Sequence, residues 1–536
     1  MKKVLIVGSG ASAVHFALSV LQKGYEVTML DVGYERPEVM CPEKKISDLK
    51  QSLKDPVDFF LGKRFESFIP PDYEAEYYGF PPNKNYVLHK PEQFKCSSSG
   101  FSPLFSFAQG GLAEVWTGGV YPLNDAELSD FPISFEDLLP YYNQVADRIG
   151  VNGVKDDMHR FFPWHENLMD PLVLDRHSDM LLSKYNSKKD LLRSRHGLYM
   201  GRSRVATLSS DKGERKACSY SGRCLWGCPT GSLYTPSLTL QECKKHNNFK
   251  YMSGMLVRHF NYDEQNNISS VTAESVKDSG FYEFPVDKLV LGAGTASSSK
   301  IFLESIFRKT GKIIRLKGLM DNRQILAPFI NLKMIGKSFD PESYTYHQLA
   351  FGIKTGNLGE HIHGQVTTLK SALIHPIIQS LPFDLKTSVF AFSNLHSALG
   401  VINLNFHDYR RDENYITLNI DEDPSRPALS INYKPLRGEE ILLDNTMTTV
   451  KKAFLRLNCV VPVKMAHIRP MGASVHYAGT IPMSEGKTPF TASKNCMSND
   501  FNNLYFVDGT TFPFLPAKQL TFTMMANAMR IADNAF

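Results

Sequence analysis

The first residues of the chain carry a glycine pattern that could bind a dinucleotide. An apolar run over 4–7 predicts a short buried strand, and Gly8, Gly10 and Ala13 then occupy the G-x-G-x-x-[G/A] positions. Gly8 makes the tight turn, Gly10 lets the backbone approach a pyrophosphate, and Ala13 lets the following helix pack closely on the sheet. Asp31, 23 residues after Gly8, can accept hydrogen bonds from a ribose 2′-OH. These residues predict a dinucleotide site and leave both FAD and NAD open.

Two strands and a helix must position these groups. The helical pattern that follows the glycines begins with Ala11 and Ser12, and its N-terminus offers unpaired N–H groups and a partial positive charge to phosphates. A second strand, predicted over 26–30, ends just before Asp31. A glycine pattern alone is a weak signal, but here it lies between two strands with the acidic residue in place. The segment therefore predicts a complete βαβ nucleotide-binding unit.

Length and composition exclude several classes of protein. A chain of 536 residues predicts two or three domains. The net charge of +5 is small and no block of Lys and Arg occurs, which argues against nucleic-acid binding. The apolar run at the start is too short for a signal peptide, and no stretch approaches a transmembrane segment. The eight cysteines are scattered, so we expect a reduced, cytoplasmic protein.

The α/β pattern of the first residues is interrupted and later resumes. Residues 34–95, rich in proline and aromatic residues, predict an irregular excursion over the surface. A strand over 288–291, the turn 292–294 and a helix restore the pattern, as do a strand over 504–507 and a helix over 521–532. Between them, 345–435 alternates polar and apolar residues, notably at 388–392 and 415–420, and predicts an antiparallel sheet.

The expected fold class is therefore α/β, with a discontinuous Rossmann-like dinucleotide-binding domain and an inserted α+β substrate domain built on an antiparallel sheet. We assign 1–45, 90–125, 200–310 and 466–536 to the dinucleotide-binding domain, which the resemblance described next identifies as FAD-binding. The remaining segments, 46–89, 126–199 and 311–465, are assigned to the substrate-binding domain and to surface excursions.

Five segments give the chain a resemblance to a known family. In order and spacing they resemble the glucose–methanol–choline (GMC) flavin oxidoreductases, nearest the pyranose-oxidase and bacterial sugar-dehydrogenase branch. The segments are the N-terminal glycine pattern, 110–119 (GGLAEVWTGG), 291–294 (LGAG), 476–483 (HYAGTIPM) and 503–513 (NLYFVDGTTFP) with the helix after it. The resemblance spans the chain, although 310–465 shows little of it.

The resemblance implies FAD rather than NAD, because backbone from all these segments must wrap a long cofactor. It implies that Gly110 and Gly111 allow close approach to the isoalloxazine and that Thr117 places a hydroxyl near its reactive edge. In some relatives this loop supplies a histidine bonded covalently to the flavin; Val115 occupies that position here, which predicts non-covalent FAD. The other cofactor-binding residues implied are Gly292, Ala293, Gly294, Asp508, Gly509 and Thr521.

The resemblance also assigns the chemistry. His476 matches the histidine that serves as the base for the hydroxyl proton while hydride leaves for flavin N5, and histidine suits this task because its pKa lies near working pH. The partner position, a histidine or asparagine in the family, is Gln519 here. Glutamine can orient a substrate oxygen but cannot take up a proton. Lys518 beside it is interpreted as a solvated loop lysine or as a holder of an anionic group.

A cysteine-rich loop is the other unusual feature. Cys218, Cys224 and Cys228, with Cys243 further on, lack the tighter spacing of an iron–sulfur cluster or the C-x-x-C pairs of a zinc site. We expect a tight, buried turn and no metal.

Together these features predict an FAD-dependent dehydrogenase or oxidase acting on a CH–OH group, and they favour a sugar or sugar-like polyol as its substrate. The expected partner is a small-molecule alcohol or carbohydrate; the electron acceptor is open between oxygen, a quinone and a protein. Three alternatives remain: a non-oxidising flavoprotein of the same fold such as a lyase, a catalytically degenerate flavoprotein subunit, and an NAD-dependent enzyme.

Overall fold

A computed structural model describes residues 2–37, 44–65, 76, 80–370, 378 and 381–536. The strands, in chain order, are β1 Lys3–Val7, β2 Glu26–Leu30, β3 Cys96–Ser99, β4 Val151–Asn152, β5 Leu168–Met169, β6 Leu198–Arg202, β7 Phe249–Met252, β8 Met255–Tyr262, β9 Ile268–Ser275, β10 Phe281–Pro285, β11 Leu289–Leu291, β12 Leu316–Lys317, β13 Gln324–Asn331, β14 Leu349–Ile353, β15 Ile362–Thr368, β16 Leu399–Asn405, β17 Asp408–Tyr409, β18 Tyr415–Asn419, β19 Ala428–Asn432, β20 Cys459–Val460, β21 His467–Ile468, β22 Leu504–Phe506 and β23 Phe514–Leu515.

The helices are α1 Ala11–Gln22, α2 Ile46–Ser52, α3 Pro56–Leu61, α4 Phe135–Ile149, α5 Arg176–Asn186, α6 Lys189–His196, α7 Pro236–Lys244, α8 Thr295–Thr310, α9 Leu385–Leu395, α10 Glu439–Arg456 and α11 Thr521–Ala535. None of the helices in these described ranges is both long enough and apolar enough to cross a bilayer.

A parallel sheet forms the nucleotide-binding side, in the strand order β22-β11-β1-β2-β7. Its central strand is buried on both faces: Val4 and Ile6 pack with α1 and α11, whereas Leu5 and Val7 pack with residues of α8 and β8. Burial on both faces is the reason such strands read as continuous apolar runs. The sheet joins the first residues of the chain to β22, as the predicted discontinuous domain requires.

The second large layer is an antiparallel sheet in the order β20-β13-β16-β15-β14-β6, with β21 also paired to β13. The core beside it contains residues of α5, α6 and α10. Two smaller sheets, β10-β9-β8 and β12-β18-β19-β3, and two strand pairs, β17-β23 and β4-β5, also lie within the described residues. The α/β fold class with an antiparallel second layer is confirmed. The predicted domain boundaries stay predictions, although β6 belongs to the antiparallel sheet and crosses the boundary placed at residue 200.

Two of the sequence-based expectations need correction. The segment predicted as a strand over 388–392 lies inside helix α9, where Asp384 caps the N-terminus by accepting a hydrogen bond from the Thr387 N–H. Polar and apolar residues alternate over these five positions because only one face of the helix is buried, and this alternation was mistaken for that of a strand. Residues 34–95 are also not irregular throughout: they contain α2, α3 and a 3₁₀ helix over Pro82–Leu88. The strand predicted over 415–420 is confirmed as β18.

Candidate active site

A cavity of about 650 Å³ lies between the carboxyl ends of the parallel strands and the antiparallel sheet. Ligands of open α/β sheets bind at this edge because the strand ends leave a crevice there. Every residue predicted for the site lines this cavity: Gly8, Gly10, Ala11, Ser12, Asp31, Gly110, Gly111, Val115, Thr117, Gly292, Ala293, Gly294, His476, Asp508, Gly509, Gln519 and Thr521. Their individual roles stay predictions.

The two glycine turns pack against each other at the centre of this edge. Gly8 has φ +92°, and a Cβ there would lie 2.7 Å from the Gly292 carbonyl oxygen, so a larger residue does not fit. A Cβ on Gly292 would in turn lie 2.9 Å from the Cβ of Ala13. The glycine pattern therefore serves the close packing of α1 on the sheet as well as access for a cofactor.

Asp31 lies in the cavity wall at the end of β2 and is held by hydroxyl groups. Its Oδ2 accepts hydrogen bonds from Tyr251 Oη, at 3.0 Å, and from Ser9 Oγ. Burial raises the pKa of Asp31 to about 6. Ser9 Oγ also accepts a hydrogen bond from the Gly110 N–H at 2.9 Å. Ser9, which the sequence-based reasoning passed over, thus joins the glycine turn, the acidic residue and the second glycine-rich segment.

The backbone of this second glycine-rich segment lies close to the N-terminal glycine turn. Gly110 and Gly111 both have positive φ, +86° and +64°, and a short 3₁₀ helix, Gly111–Glu114, follows. Glu114 anchors the turn by accepting hydrogen bonds from the Ser237 N–H and Oγ at 2.8 and 2.7 Å. Val115, next in the chain, is buried and lines the cavity. Its side chain has no atom that could bond covalently to a cofactor.

Asp508 connects the C-terminal segment to the turn after β11. Its Oδ2 accepts hydrogen bonds from the Gly294 N–H at 3.0 Å and from Ser298 Oγ at 2.6 Å, while Oδ1 accepts one from the Thr510 N–H at 3.0 Å. Burial raises the pKa of this carboxyl above its ordinary value. Asp508 therefore has a structural role, because its side chain holds the turn in place. The group that could contact a ligand is the backbone of that turn.

His476 lies at the other end of the cavity, opposite the antiparallel sheet. Its Nδ1 is 3.0 Å from Asn322 Oδ1, and Nε2 forms no hydrogen bond with any residue in the described ranges. Burial, with a smaller contribution from Arg469, lowers the pKa of His476 to about 4. The ring is therefore neutral at neutral pH and carries a free lone pair, as a general base must. The expectation that its pKa lies near working pH is wrong, because burial makes the imidazole a weaker base.

The backbone under His476 is fixed by a buried carboxyl. The His476 N–H donates to Ser474 Oγ at 3.0 Å, and Ser474 donates in turn to Asp321, which also accepts from the Gly472 N–H at 2.5 Å. Burial raises the pKa of Asp321 to about 7. Asp321 and Asn322 lie in the turn before β13, where no sequence pattern marks them, and the sequence-based reasoning missed both.

Gln519 faces the same end of the cavity. Its Oε1 is buried and has no hydrogen-bond partner in the described part of the chain. Gly119 lies beside it: a Cβ at that position would be 3.2 Å from Gln519 Oε1 and 3.0 Å from His347 Nε2. A side chain at position 119 would therefore crowd both polar atoms.

Lys518, the residue before Gln519, is not the solvated lysine considered from the sequence. Its Nζ is fully buried and lies 2.6 Å from Glu127 Oε2, 2.7 Å from the Pro122 carbonyl oxygen and 2.8 Å from that of Phe161. The anionic group that it holds is the Glu127 side chain rather than a ligand. Through these contacts Lys518 anchors the loop that carries Gln519.

The antiparallel sheet supplies the rest of this end, and its side chains there are uncharged. They are Gln324, Leu326, His347, Gln365, Thr367, Val401 and Asn403. Burial lowers the pKa of His347 to about 3, so its ring is neutral. Asn403 Oδ1 is buried without a hydrogen-bond partner among the described residues. None of these side chains belongs to a motif, because their spacing along the chain is set by strand pairing.

The cysteine-rich loop lies away from these groups. Cys218, Cys224 and Cys228 are free thiols, and burial raises the pKa of Cys218 to about 12. Within the residues described, no three His, Cys, Asp or Glu side chains lie close enough together to hold a metal ion.

Comparison with known proteins agrees with this architecture. Residues 411–528 match the model of the family described as GMC oxidoreductase, and the resemblance inferred from the sequence is confirmed. The nearer relation to the pyranose-oxidase branch stays a prediction. The chain is 25% identical over 236 residues to the 2-methyl-1,2-propanediol dehydrogenase of Mycolicibacterium austroafricanum; the match covers 44% of this chain and only 39% of that enzyme.

Solved structures share the fold over the whole chain. Pyridoxine 4-oxidase from Mesorbium loti has a TM-score of 0.61 at 12% identity, covering 100% of this chain and 99% of its own. A variant of formate oxidase from Aspergillus oryzae has a TM-score of 0.60 at 10% identity, covering 99% and 98%. A third, an FAD-dependent oxidoreductase from Chaetomium thermophilum, has a TM-score of 0.56 at 11% identity and covers 99% and 98%.

Proposed function

From the GMC oxidoreductase match of residues 411–528, we propose that this protein binds FAD without a covalent bond and oxidises the CH–OH group of an uncharged polyol or sugar. The observation that carries the proposal is the position of His476. A neutral imidazole with a free Nε2 lines the same cavity as the glycine turns and Gln519.

The residues present fit FAD. The two glycine turns and the N-terminus of α1 offer backbone to a pyrophosphate, and the Asp31 carboxylate stands where a ribose would lie. Near β8, the cavity wall is apolar and partly aromatic, with Phe94, Phe105 and Val257, which suits a flat ring. A cavity of about 650 Å³ has the size of a cofactor site. Val115 leaves the flavin without a covalent anchor at this position.

When bound, FAD supplies the hydride acceptor of an alcohol oxidation. The protein's part is to hold the substrate and to accept its proton. His476 takes the hydroxyl proton at Nε2, because its low pKa keeps that atom unprotonated at neutral pH. Gln519 orients the substrate oxygen through its carboxamide, and the Asp321–Ser474 hydrogen bonds keep the His476 backbone in place.

The substrate class follows from the polar atoms left without partners. Asn403 Oδ1 and Gln519 Oε1 are buried acceptors, and leaving them unsatisfied costs about 1–3 kcal/mol each. Both side chains line the cavity, and substrate hydroxyl groups can satisfy both acceptors once the two carboxamides turn toward it. The side chains of this end are uncharged, so no group there compensates the charge of a carboxylate or ammonium substrate. A molecule with several hydroxyls and no charge fits best.

The test begins with the absorbance spectrum of the purified protein, followed by acid precipitation. A flavin spectrum whose chromophore is released into the supernatant supports non-covalent FAD. Sugars and polyols are then added anaerobically, beside their uronate and aldonate counterparts. Bleaching by a neutral polyol but not by its carboxylate supports the proposal. A flavin that no alcohol bleaches would favour a lyase-type or degenerate flavoprotein.

The role of His476 is tested with His476→Ala. This variant should retain FAD but lose its reduction by substrate. His159→Ala is the matched control, because His159 is exposed and lies outside the cavity; it should be reduced at the wild-type rate. A His476→Ala enzyme that is reduced as fast as the wild type would refute the assigned role.

A further inference from the structure

The hydrogen bonds of the Asn322 carboxamide establish which of its two terminal atoms contacts His476. Its Nδ2 lies 2.6 Å from the Phe406 carbonyl oxygen and 2.9 Å from that of Pro516. A carbonyl oxygen can only accept, so both contacts require the amide nitrogen, and rotating the carboxamide by 180° would set oxygen against oxygen. The Oδ1 atom must therefore be the one that faces His476.

The orientation of the amide determines which ring nitrogen carries the proton. Asn322 Oδ1 is 3.0 Å from His476 Nδ1, and an amide oxygen has no hydrogen to donate. Nδ1 must therefore be the donor, and in the neutral ring this leaves Nε2 unprotonated. Nε2 has no partner among the described residues and is not enclosed by protein, so its lone pair is available from the cavity.

We propose that Asn322 is the positioning residue of this site, which holds His476 as the Nδ1-protonated tautomer and thereby makes Nε2 the base. The proposal deepens the function proposed above and rests on it. Asn322 does not touch the substrate; it acts through the imidazole.

The surroundings of Asn322 suit this task. Its side chain is buried, and the two carbonyls that hold it come from different parts of the chain: Phe406 follows β16, and Pro516 precedes the Gln519 loop. One amide thus connects the antiparallel sheet, the base and the loop with the orienting glutamine. An aspartate in this place would confront both carbonyls with a carboxylate oxygen, which explains why a neutral acceptor serves better than a charged one.

The test uses the FAD-bound protein labelled with ¹⁵N-histidine. Long-range ¹H–¹⁵N spectra distinguish a protonated ring nitrogen from an unprotonated one, and comparison with His476→Gln assigns the His476 signals. We expect Nδ1 to be protonated and Nε2 unprotonated in the wild type. This measurement needs no substrate, so it decides the tautomer even if no alcohol reduces the flavin.

Asn322→Ala removes the acceptor. The His476 signals should then shift toward the Nε2-protonated form, and flavin reduction should slow by about 10- to 100-fold, the usual range for an orienting partner. KM should change less than the limiting rate. Asn331→Ala is the matched control: Asn331 is equally buried and accepts from the Lys333 N–H, but it forms no hydrogen bond with His476.

Three results would overturn the proposal: a wild-type His476 protonated at Nε2, an unchanged tautomer in Asn322→Ala, or a changed tautomer with an unchanged reduction rate. If Asn322→Ala does not fold, the wild-type spectrum still decides the first point, and Asn322→Leu, which keeps the side-chain volume but has no acceptor, replaces it in the other two.

Discussion

Replacing Glu127 by glutamine should destabilise the protein measurably, because it leaves the Lys518 ammonium buried without its counter-ion. Both side chains are fully buried, 2.6 Å apart. Removing one partner of such a pair typically costs about 3–5 kcal/mol. The two carbonyl oxygens that also contact Lys518 remain, so we expect the lower half of that range.

The expected melting shift follows from the size of the chain. Unfolding entropies of about 2.1 cal/mol/K per residue give roughly 1.1 kcal/mol/K for this length, so the loss corresponds to about 3–4 °C if the chain unfolds cooperatively. Differential scanning calorimetry of the FAD-loaded protein measures it. Because Lys518 anchors the Gln519 loop, flavin reduction should slow as well.

Glu422→Gln is the control, since it removes the partner of Lys95 from a pair in which both side chains are well exposed; such pairs contribute about 0–1 kcal/mol, which is about 1 °C or less here. The double variant Glu127→Leu/Lys518→Met should recover most of the loss because no charge stays buried. If Glu127→Gln melts within 1 °C of the wild type, the argument that this pair must remain intact is wrong.

Three further outcomes are expected. The pKa of His476 is lowered to about 4, so the flavin reduction rate measured by stopped flow should be level near neutral pH and fall only as the pH drops through about 4; a midpoint near the ordinary histidine value would contradict this. Gly8→Ala should lower the ratio of flavin to protein absorbance, because its Cβ would lie 2.7 Å from the Gly292 carbonyl oxygen, whereas Gly486→Ala has nothing within 4 Å and should bind FAD normally. Denaturation with acid should release the flavin, because Val115 offers it no bond; flavin that stays with the precipitate would show another attachment point.

The nucleotide end of the site was predictable because its signal is local. The turn, the helix start and Asp31 lie within one βαβ unit, and a glycine is required wherever φ is positive or backbone approaches backbone. The sequence also indicated two distant segments that meet there, since 288–294 and 504–509 each repeat a strand followed by a glycine turn.

The substrate end could not be predicted in the same way. Gln324 and Asn403 face one cavity because β13 pairs with β16, a register that the intervening chain does not reveal. Asn322 and His476 are 154 residues apart, and neither neighbourhood signals the other. Helix α9 was mistaken for a strand because five residues are too few to separate a period of 2 from one of 3.6.

The order of strands in the parallel sheet has a consequence for how the protein is made in the cell. β1 and α1 leave the ribosome long before α11, which covers α1, and β22, which completes the sheet. At about 5–20 residues per second, roughly half a minute to two minutes pass between the synthesis of α1 and that of α11. The apolar surface of α1 stays uncovered during this time. During translation that surface is a natural target for chaperones, and FAD can be captured only after Thr521–Ala535 has been synthesised.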